Sequence, residues 1–216
     1  MNDRETPPEK KNMTTRCYAI KRRICDERIA RAAAAAGAAL VESALVESTV
    51  LDEATGLWEV RCADGRAMSC RLLVAADGAA SNIARKLGVV TTAPSGVASR
   101  QYVKGGTHNF KADGVLLYPD YVLPGYVALF RHYDDSIDLG CYLLPGGPAS
   151  DQDISELWEQ RIRSDPFVSR ALGPKAEFLE RTKVGSLRLG GTPKSHADHL
   201  MVVGDAAGQT DPLTGE

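Results

Sequence analysis

The feature that most constrains this chain is its last stretch. Leu200-Met201-Val202-Val203, a short all-apolar run, passes directly into Gly204-Asp205-Ala206-Ala207-Gly208 and then into Asp211-Pro212-Leu213-Thr214-Gly215-Glu216. An uninterrupted apolar run of that length predicts a strand buried on both faces of a sheet. The residues after it carry little or no side chain, so a ligand can approach the backbone closely, while Asp205 is a fixed acceptor for hydroxyl groups. Pro212 to Gly215 reads as a turn opening a helix, whose free N–H groups favour an electron-rich ligand edge. A second stretch repeats the pattern. Leu72-Leu73-Val74 runs into Ala75-Ala76-Asp77-Gly78-Ala79-Ala80-Ser81, and a helix is predicted from about Ser81, its N-cap, to Leu87, with Gly88 closing it. Asp-Gly by itself is common in turns. Two such carboxylates, each after an apolar strand and before a helix, fit one ligand lying along the carboxyl ends of a parallel sheet.

The remaining segments supply what surrounds this pair. Residues 1–16 are polar, contain a Pro pair and show no periodicity, which predicts a loose arm. A helix is expected from Ile24, with Asp26 and Glu27 in its first turn, an apolar stripe through Ile29, Ala32, Ala33, Ala36 and Leu40, and Gly37 as a stop. The tandem Ala39-Leu40-Val41-Glu42-Ser43 and Ala44-Leu45-Val46-Glu47-Ser48 is too short a period for a repeat fold, and residues 38–51 are predicted as one or two strands. Alternating Trp58, Val60 and Cys62, the Asp64-Gly65 hairpin signal and a returning strand from Met68 to Ala75 predict a β-meander.

Residues 97–103, 114–118, 125–131 and 136–144 read as an antiparallel sheet, and its clustered tyrosines suit a core or an apolar pocket. Ser150-Asp151-Gln152-Asp153 is a capping box opening an amphipathic helix to residue 164, with Trp158 on its core face. A short helix between Pro166 and Gly173 and a strand from Val184 to Leu189 lead back to the final stretch.

Composition removes several function classes. With 26 basic and 28 acidic residues the net charge is −2, so nothing in the charge balance points to nucleic acid. The five cysteines form no CxxC pair, which predicts reduced thiols in an intracellular protein. His108, His132, His196 and His199 share no ligand spacing, so no metal site is expected. No apolar run approaches the roughly 18 residues that cross a bilayer, and the N-terminus lacks the pattern of a secretory signal. A cytoplasmic protein is expected, with peripheral membrane contact left open.

Leu72 to Gly88, centred on Asp77-Gly78, resembles the "DG" motif of the FAD-dependent monooxygenase superfamily, which shares the p-hydroxybenzoate hydroxylase fold. Gly204-Asp205-Ala206-Ala207-Gly208 with Pro212 and Gly215 resembles that superfamily's second FAD motif, and its wording is most similar to the geranylgeranyl reductase branch. Arg22-Arg23-Ile24-Cys25-Asp26 is similar to a third signature, a helix start of Arg-x-x-Phe-Asp, with Cys25 where the aromatic is usual. The resemblance implies a mixed α/β (α+β) fold: an incomplete Rossmann-like FAD-binding domain with a β-meander at 17–95 and 178–216, lacking the GxGxxG unit, and an antiparallel-sheet substrate domain at 96–177. It implies FAD as cofactor, with Arg22, Asp77, Gly78, Gly204, Asp205, Ala206, Gly208, Pro212, Thr214 and Gly215 around it. Asp205 would hydrogen-bond a ribityl hydroxyl, and the backbone donors of the Pro212–Gly215 segment would stabilise charge on the N1/C2 edge of the reduced flavin. No side chain is assigned as a catalytic acid or base.

Two departures qualify what the resemblance implies. No GxGxxG follows an N-terminal strand, and the sequence ends inside the second motif, so an internal fragment of a longer flavoprotein is expected. The reductase branch typically shows Tyr-x-Trp-x-Phe-Pro in its central sheet, whereas here only Tyr126 and Phe130 remain, as candidate pocket residues. Three readings stay open: reduction of C=C bonds in an isoprenoid or other apolar substrate, with NAD(P)H or a ferredoxin-like protein as electron donor; aromatic hydroxylation by a monooxygenase; and a truncated, catalytically inactive flavoprotein fragment.

Overall fold

A computed structural model describes residues 19–107, 112, 114–147 and 153–215. The arm at 1–16, His108 and the Ser150–Gln152 part of the capping box lie outside these residues. In chain order the elements are α1 (Arg22–Ala35), β1 (Val46–Asp52), β2 (Leu57–Cys62), β3 (Ala67–Cys70), β4 (Leu73–Ala75), α2 (Asn82–Lys86), β5 (Gly96–Lys104), β6 (Gly114–Leu117), β7 (Tyr126–Arg131) and β8 (Ile137–Leu143). Then follow α3 (Ile154–Leu157), which continues as a π-turn to Ile162, α4 (Pro166–Leu172), β9 (Glu177–Phe178), β10 (Lys183–Leu187), β11 (His196–Ala197) and β12 (Leu200–Val202). The fold is mixed α/β with antiparallel sheets, as the sequence pattern predicts.

The largest sheet runs in the order β10-β5-β8-β7-β6, with β9 paired to the far end of β5, and every pair in it is antiparallel. Period-2 alternation separates its two faces. Val103, Val127, Leu129, Ile137, Leu139 and Cys141 point to one side, where Leu157, Trp158, Ile162, Val168 and Leu172 from α3, the π-turn and α4 close a buried core. Each fully buried aliphatic there is worth about 1.5–3 kcal/mol. Trp158 is completely buried, and its Nε1 donates to Ser99 Oγ at 2.9 Å, so its polar edge is satisfied inside the core. The boundary at 178 assigns β10 to the cofactor half; the strand instead pairs with β5 along its whole length. The chain therefore crosses the large sheet once more before it reaches β12.

The two strand-end stretches come together as the spacing argument requires. β12 pairs with β4 in parallel, Leu200 opposite Leu73 and Val202 opposite Ala75, and β11 adds an antiparallel edge. The predicted strand from Met68 to Ala75 is two strands: β3 completes the three-stranded meander β1-β2-β3, and β4 leaves it for the parallel pair. Trp58 of β2 ties the two small sheets by donating to His199 O at 2.7 Å.

Two expectations need correction here. The parallel pair is buried on one face only, since Val74 and Met201, directly opposite each other, are 50% and 46% exposed. The stripe on α1 covers nothing either: no residue of that helix is buried, and Ile29 is 64% exposed. Both are apolar faces with no described element packed on them, and hydrophobic pattern alone cannot supply the partner. The start of α1 is held by Lys21, whose ammonium meets Asp134 of the β7–β8 turn at 2.5 Å.

Candidate functional site

Asp77 sits two residues beyond the end of β4 and is engaged locally. Its Oδ1 accepts from Ser81 Oγ at 2.5 Å and its Oδ2 from Asn82 N at 3.1 Å, while Ser81 Oγ caps α2 by accepting from Ala84 N at 3.0 Å. The turn this fixes leaves Gly78 at φ +82°, with nothing within 4 Å of where a Cβ would project. On the neighbouring strand, Gly204 has φ +61° and the same open space, and Ala206 and Ala207 are buried beneath a single 3₁₀ turn. Val203 N donates to Ala75 O at 3.0 Å, which holds the two strand ends in line. Asp77, Gly78, Gly204 and Asp205 thus share one edge of the parallel pair. Bare backbone facing open space at both strand ends is what a ligand such as FAD, lying close across them, requires.

The details narrow what each group can offer. Asp205 Oδ1 accepts from Thr210 Oγ1 at 2.6 Å, which orients the carboxylate. Gly208, at φ +68°, lies against Arg188, whose Cγ would be 3.1 Å from an added Cβ. Arg188 itself is buried, 4% exposed; its Nη2 donates to Ala79 O at 2.8 Å and its Nη1 to Thr92 O, so the guanidinium ties the DG loop to the segment at Thr92 while the stem packs on the turn at Gly208. From sequence alone Arg188 has no assigned role, although a lone charge between Leu187 and Leu189 inside the expected strand was the available signal. Arg22 pairs within its own helix, Nε to Asp26 Oδ1 at 3.0 Å, on an exposed surface. The described contacts do not bring it to Asp77 or Asp205.

At Pro212–Gly215 the structure departs from expectation. Leu213 N and Thr214 N donate to Asp211 Oδ1 at 2.9 and 2.8 Å, and Gly215 N donates to Asp211 O at 2.9 Å. The donors expected to meet a flavin edge are therefore engaged inside the turn, because an Asp placed two and three residues earlier closes an Asx turn on them. Those backbone N–H groups hold the Asp211 carboxyl below its ordinary pKa.

What the turn does face is the large sheet. Tyr126 Oη donates to Thr214 O, and Tyr142 Oη donates to Pro212 O at 3.1 Å. The space between is a cavity of about 480 Å³ on the sheet face opposite the core. Its floor is made of small residues (Ala98, Ala128 and Gly140), its walls include Tyr118, Tyr126 and Phe130, and Leu213 and Thr214 close one end. Tyr126 packs between Tyr118 and Tyr142 with ring centroids 6.1 and 5.2 Å away. Both candidate pocket residues, Tyr126 and Phe130, line this cavity; Tyr142 and the small-residue floor belong with them, and same-face alternation on β8 was the signal for Tyr142. The one acid among the lining residues is Asp138, whose pKa burial pushes up against the pull of Arg100. No group of three or more His, Cys, Asp or Glu among the described residues is placed to hold a metal ion.

Comparison with known proteins bears on the fold. No family model matches the chain. It is 47% identical over 204 residues to conditioned medium factor receptor 1 of Dictyostelium discoideum, covering 92% of this chain and 40% of that protein. It is 30% identical over 203 residues to digeranylgeranylglycerophospholipid reductase 1 of Methanothermobacter thermautotrophicus, covering 92% of this chain and 49% of the reductase. The chain thus spans about half the length of these relatives or less. Among solved structures, the myxobacterial chondrochloren halogenase CndH, described as a variant of FAD-dependent halogenases, superposes with a TM-score of 0.73 at 16% identity over 92% of this chain and 48% of that one. A geranylgeranyl bacteriochlorophyll reductase-like protein of Thermoplasma acidophilum superposes with a TM-score of 0.70 at 19% identity over 89% and 49%. The fold is that of FAD-dependent halogenases and geranylgeranyl reductase-like proteins, as the motif resemblance implies, and the curated relatives include digeranylgeranylglycerophospholipid reductases.

Proposed function

We propose that this chain forms the substrate-facing part of an FAD-dependent oxidoreductase that reduces C=C bonds of an isoprenoid or other apolar substrate. The observation that carries this reading is the cavity, apolar along its floor and walls and closed at one end by Leu213 and Thr214 of the second FAD-like motif. Bound and reduced, FAD supplies the hydride. The chain's own residues do the rest. Gly78 and Gly204 let the cofactor lie against the two strand ends, Asp205 accepts from a ribityl hydroxyl, and Tyr126 and Tyr142 pin Pro212–Thr214 at the cavity end so that cofactor and substrate meet there. Small floor residues leave the width of a hydrocarbon chain, and the aromatic walls exclude water from it.

A nicotinamide or a ferredoxin-like protein is the proposed electron donor, and a cytoplasmic or membrane-peripheral site the proposed location. Among the described residues no helix is long and apolar enough to cross a membrane. Anaerobic incubation with FAD, dithionite and a prenyl alcohol tests the reading: saturated product supports it, whereas hydroxylated product formed only with oxygen supports the monooxygenase alternative. The 47% identity to a protein named as a receptor favours a second reading, in which the cavity binds an apolar ligand without turnover. Stoichiometric ligand binding with no flavin-dependent product would select it.

A further inference from the structure

One carboxylate interrupts the apolar cavity. Asp138 lies on β8 on the same face as Gly140 and Tyr142, directly between Tyr102 of β5 and Phe130 of β7. It makes no hydrogen bond among the described residues, and its Oδ1 is buried without a partner. The neighbouring charges do not bond it. Arg100 stacks on Tyr102 at 4.2 Å and lies 3.7 Å from Glu180 Oε1, and its own Nη1 makes no hydrogen bond among the described residues; Glu180 Oε2 pairs with Lys183 at 2.7 Å; Lys21 is held by Asp134. A buried polar atom left unpaired costs about 1–3 kcal/mol and calls for a partner. The cavity wall is where that partner can arrive.

We propose that Asp138 is the polar anchor of the cavity and that the ligand taken there is an apolar molecule carrying a hydroxyl group. This rests on the reading of the cavity as the substrate site. A hydroxyl suits Asp138 in either protonation state, since it donates to the carboxylate and accepts from the carboxyl. Burial raises the Asp138 pKa, with Arg100 and Lys21 opposing and Glu180 reinforcing. An anionic head would place a second negative charge beside Asp138, where Arg100 and Lys21 already act on the carboxylate. The hydroxyl is bound away from the flavin-facing end: Asp138 and Tyr142, the residue tied to Pro212, are four residues apart on one strand, about 13 Å at the usual rise. Asp138 is therefore a specificity-determining residue rather than a proton donor to a bond reduced beside Thr214.

The test uses binding, without flavin. Farnesol, farnesene and farnesyl phosphate are titrated into the 216-residue protein by calorimetry, then into its D138L and D138N variants. The expected result is farnesol at least about tenfold tighter than farnesene, equal to about 1.4 kcal/mol, with the preference abolished in D138L and largely kept in D138N, whose amide still bonds a hydroxyl. Equal affinity for farnesol and farnesene in the unsubstituted protein, or tighter binding of farnesyl phosphate than of farnesol, overturns the anchor while leaving the apolar cavity standing. Failure of all three probes to bind overturns the cavity reading and the anchor with it.

Discussion

Gly204 offers a way to separate backbone strain from ligand contact. Its φ of +61° is a conformation that an L residue adopts at a cost of about 1–2 kcal/mol, and its Cβ position is open, so G204A adds strain and no clash inside the protein. Gly65, in the β2–β3 hairpin, has φ +86° and an equally open Cβ position, and no part in the site. G65A and G204A should therefore lose similar stability, about 1–2 kcal/mol each in urea denaturation. Only G204A places a methyl where the cofactor is proposed to lie, and an intruding methyl at a packed contact costs about 1–3 kcal/mol. FAD affinity, followed by quenching of flavin fluorescence, should fall roughly 5- to 150-fold in G204A by that figure and stay unchanged in G65A. Equal loss of affinity in both variants would show that flavin senses global stability alone. Destabilisation of G204A with unchanged affinity would show that the bare backbone at Gly204 is not a flavin contact.

Other expectations follow from single groups. W158F should lose about 3 kcal/mol, combining a vacated volume and the lost hydrogen bond to Ser99 Oγ, which keeps its 3.4 Å donation to Cys141 O; S99A should cost less in the W158F background than alone, and strictly additive losses would contradict the Trp158–Ser99 coupling. The Cys141 thiol is pushed up to about 12 by burial, so it should resist a disulfide reagent at pH 8 until the protein unfolds, whereas half-buried Cys70 should react in the native state. The Asp134 carboxyl lies well below the usual carboxylate range, chiefly through Lys21, so its folded pKa is under its unfolded one. Its contribution is present above about pH 4 and is lost as pH falls further, and hydrogen exchange at the start of α1 should rise in that window and also in K21M at neutral pH. D211A should unprotect the amides of Leu213 and Thr214 to hydrogen exchange without moving the protein's unfolding midpoint by more than a degree or two.

The sequence by itself determined the local elements and much of the site. Apolar runs ending in Ala75-Ala76-Asp77-Gly78 and Gly204-Asp205 are strand ends because side-chain period and glycine conformation are local properties, and their likeness marked them as neighbours before any pairing was seen. The four strands of the central sheet, Ser81 as a helix cap and Trp158 as core were legible for the same reason. Long-range partners were not. Which face of the β4–β12 pair is covered, whether α1 packs on anything, and that β10 joins β5 all depend on what lies opposite, and a hydrophobic pattern is silent about that. The Pro212–Gly215 donors looked free because a turn and a helix start share the same residues; only the fold showed Asp211 closing on them. The cavity is the clearest case. Tyr126, Tyr142 and Asp138 lie on two strands, and Thr214 lies some 70 residues beyond Tyr142. Only the antiparallel register, which stacks alternate residues on one face, turns them into one walled space with a single unpaired carboxylate.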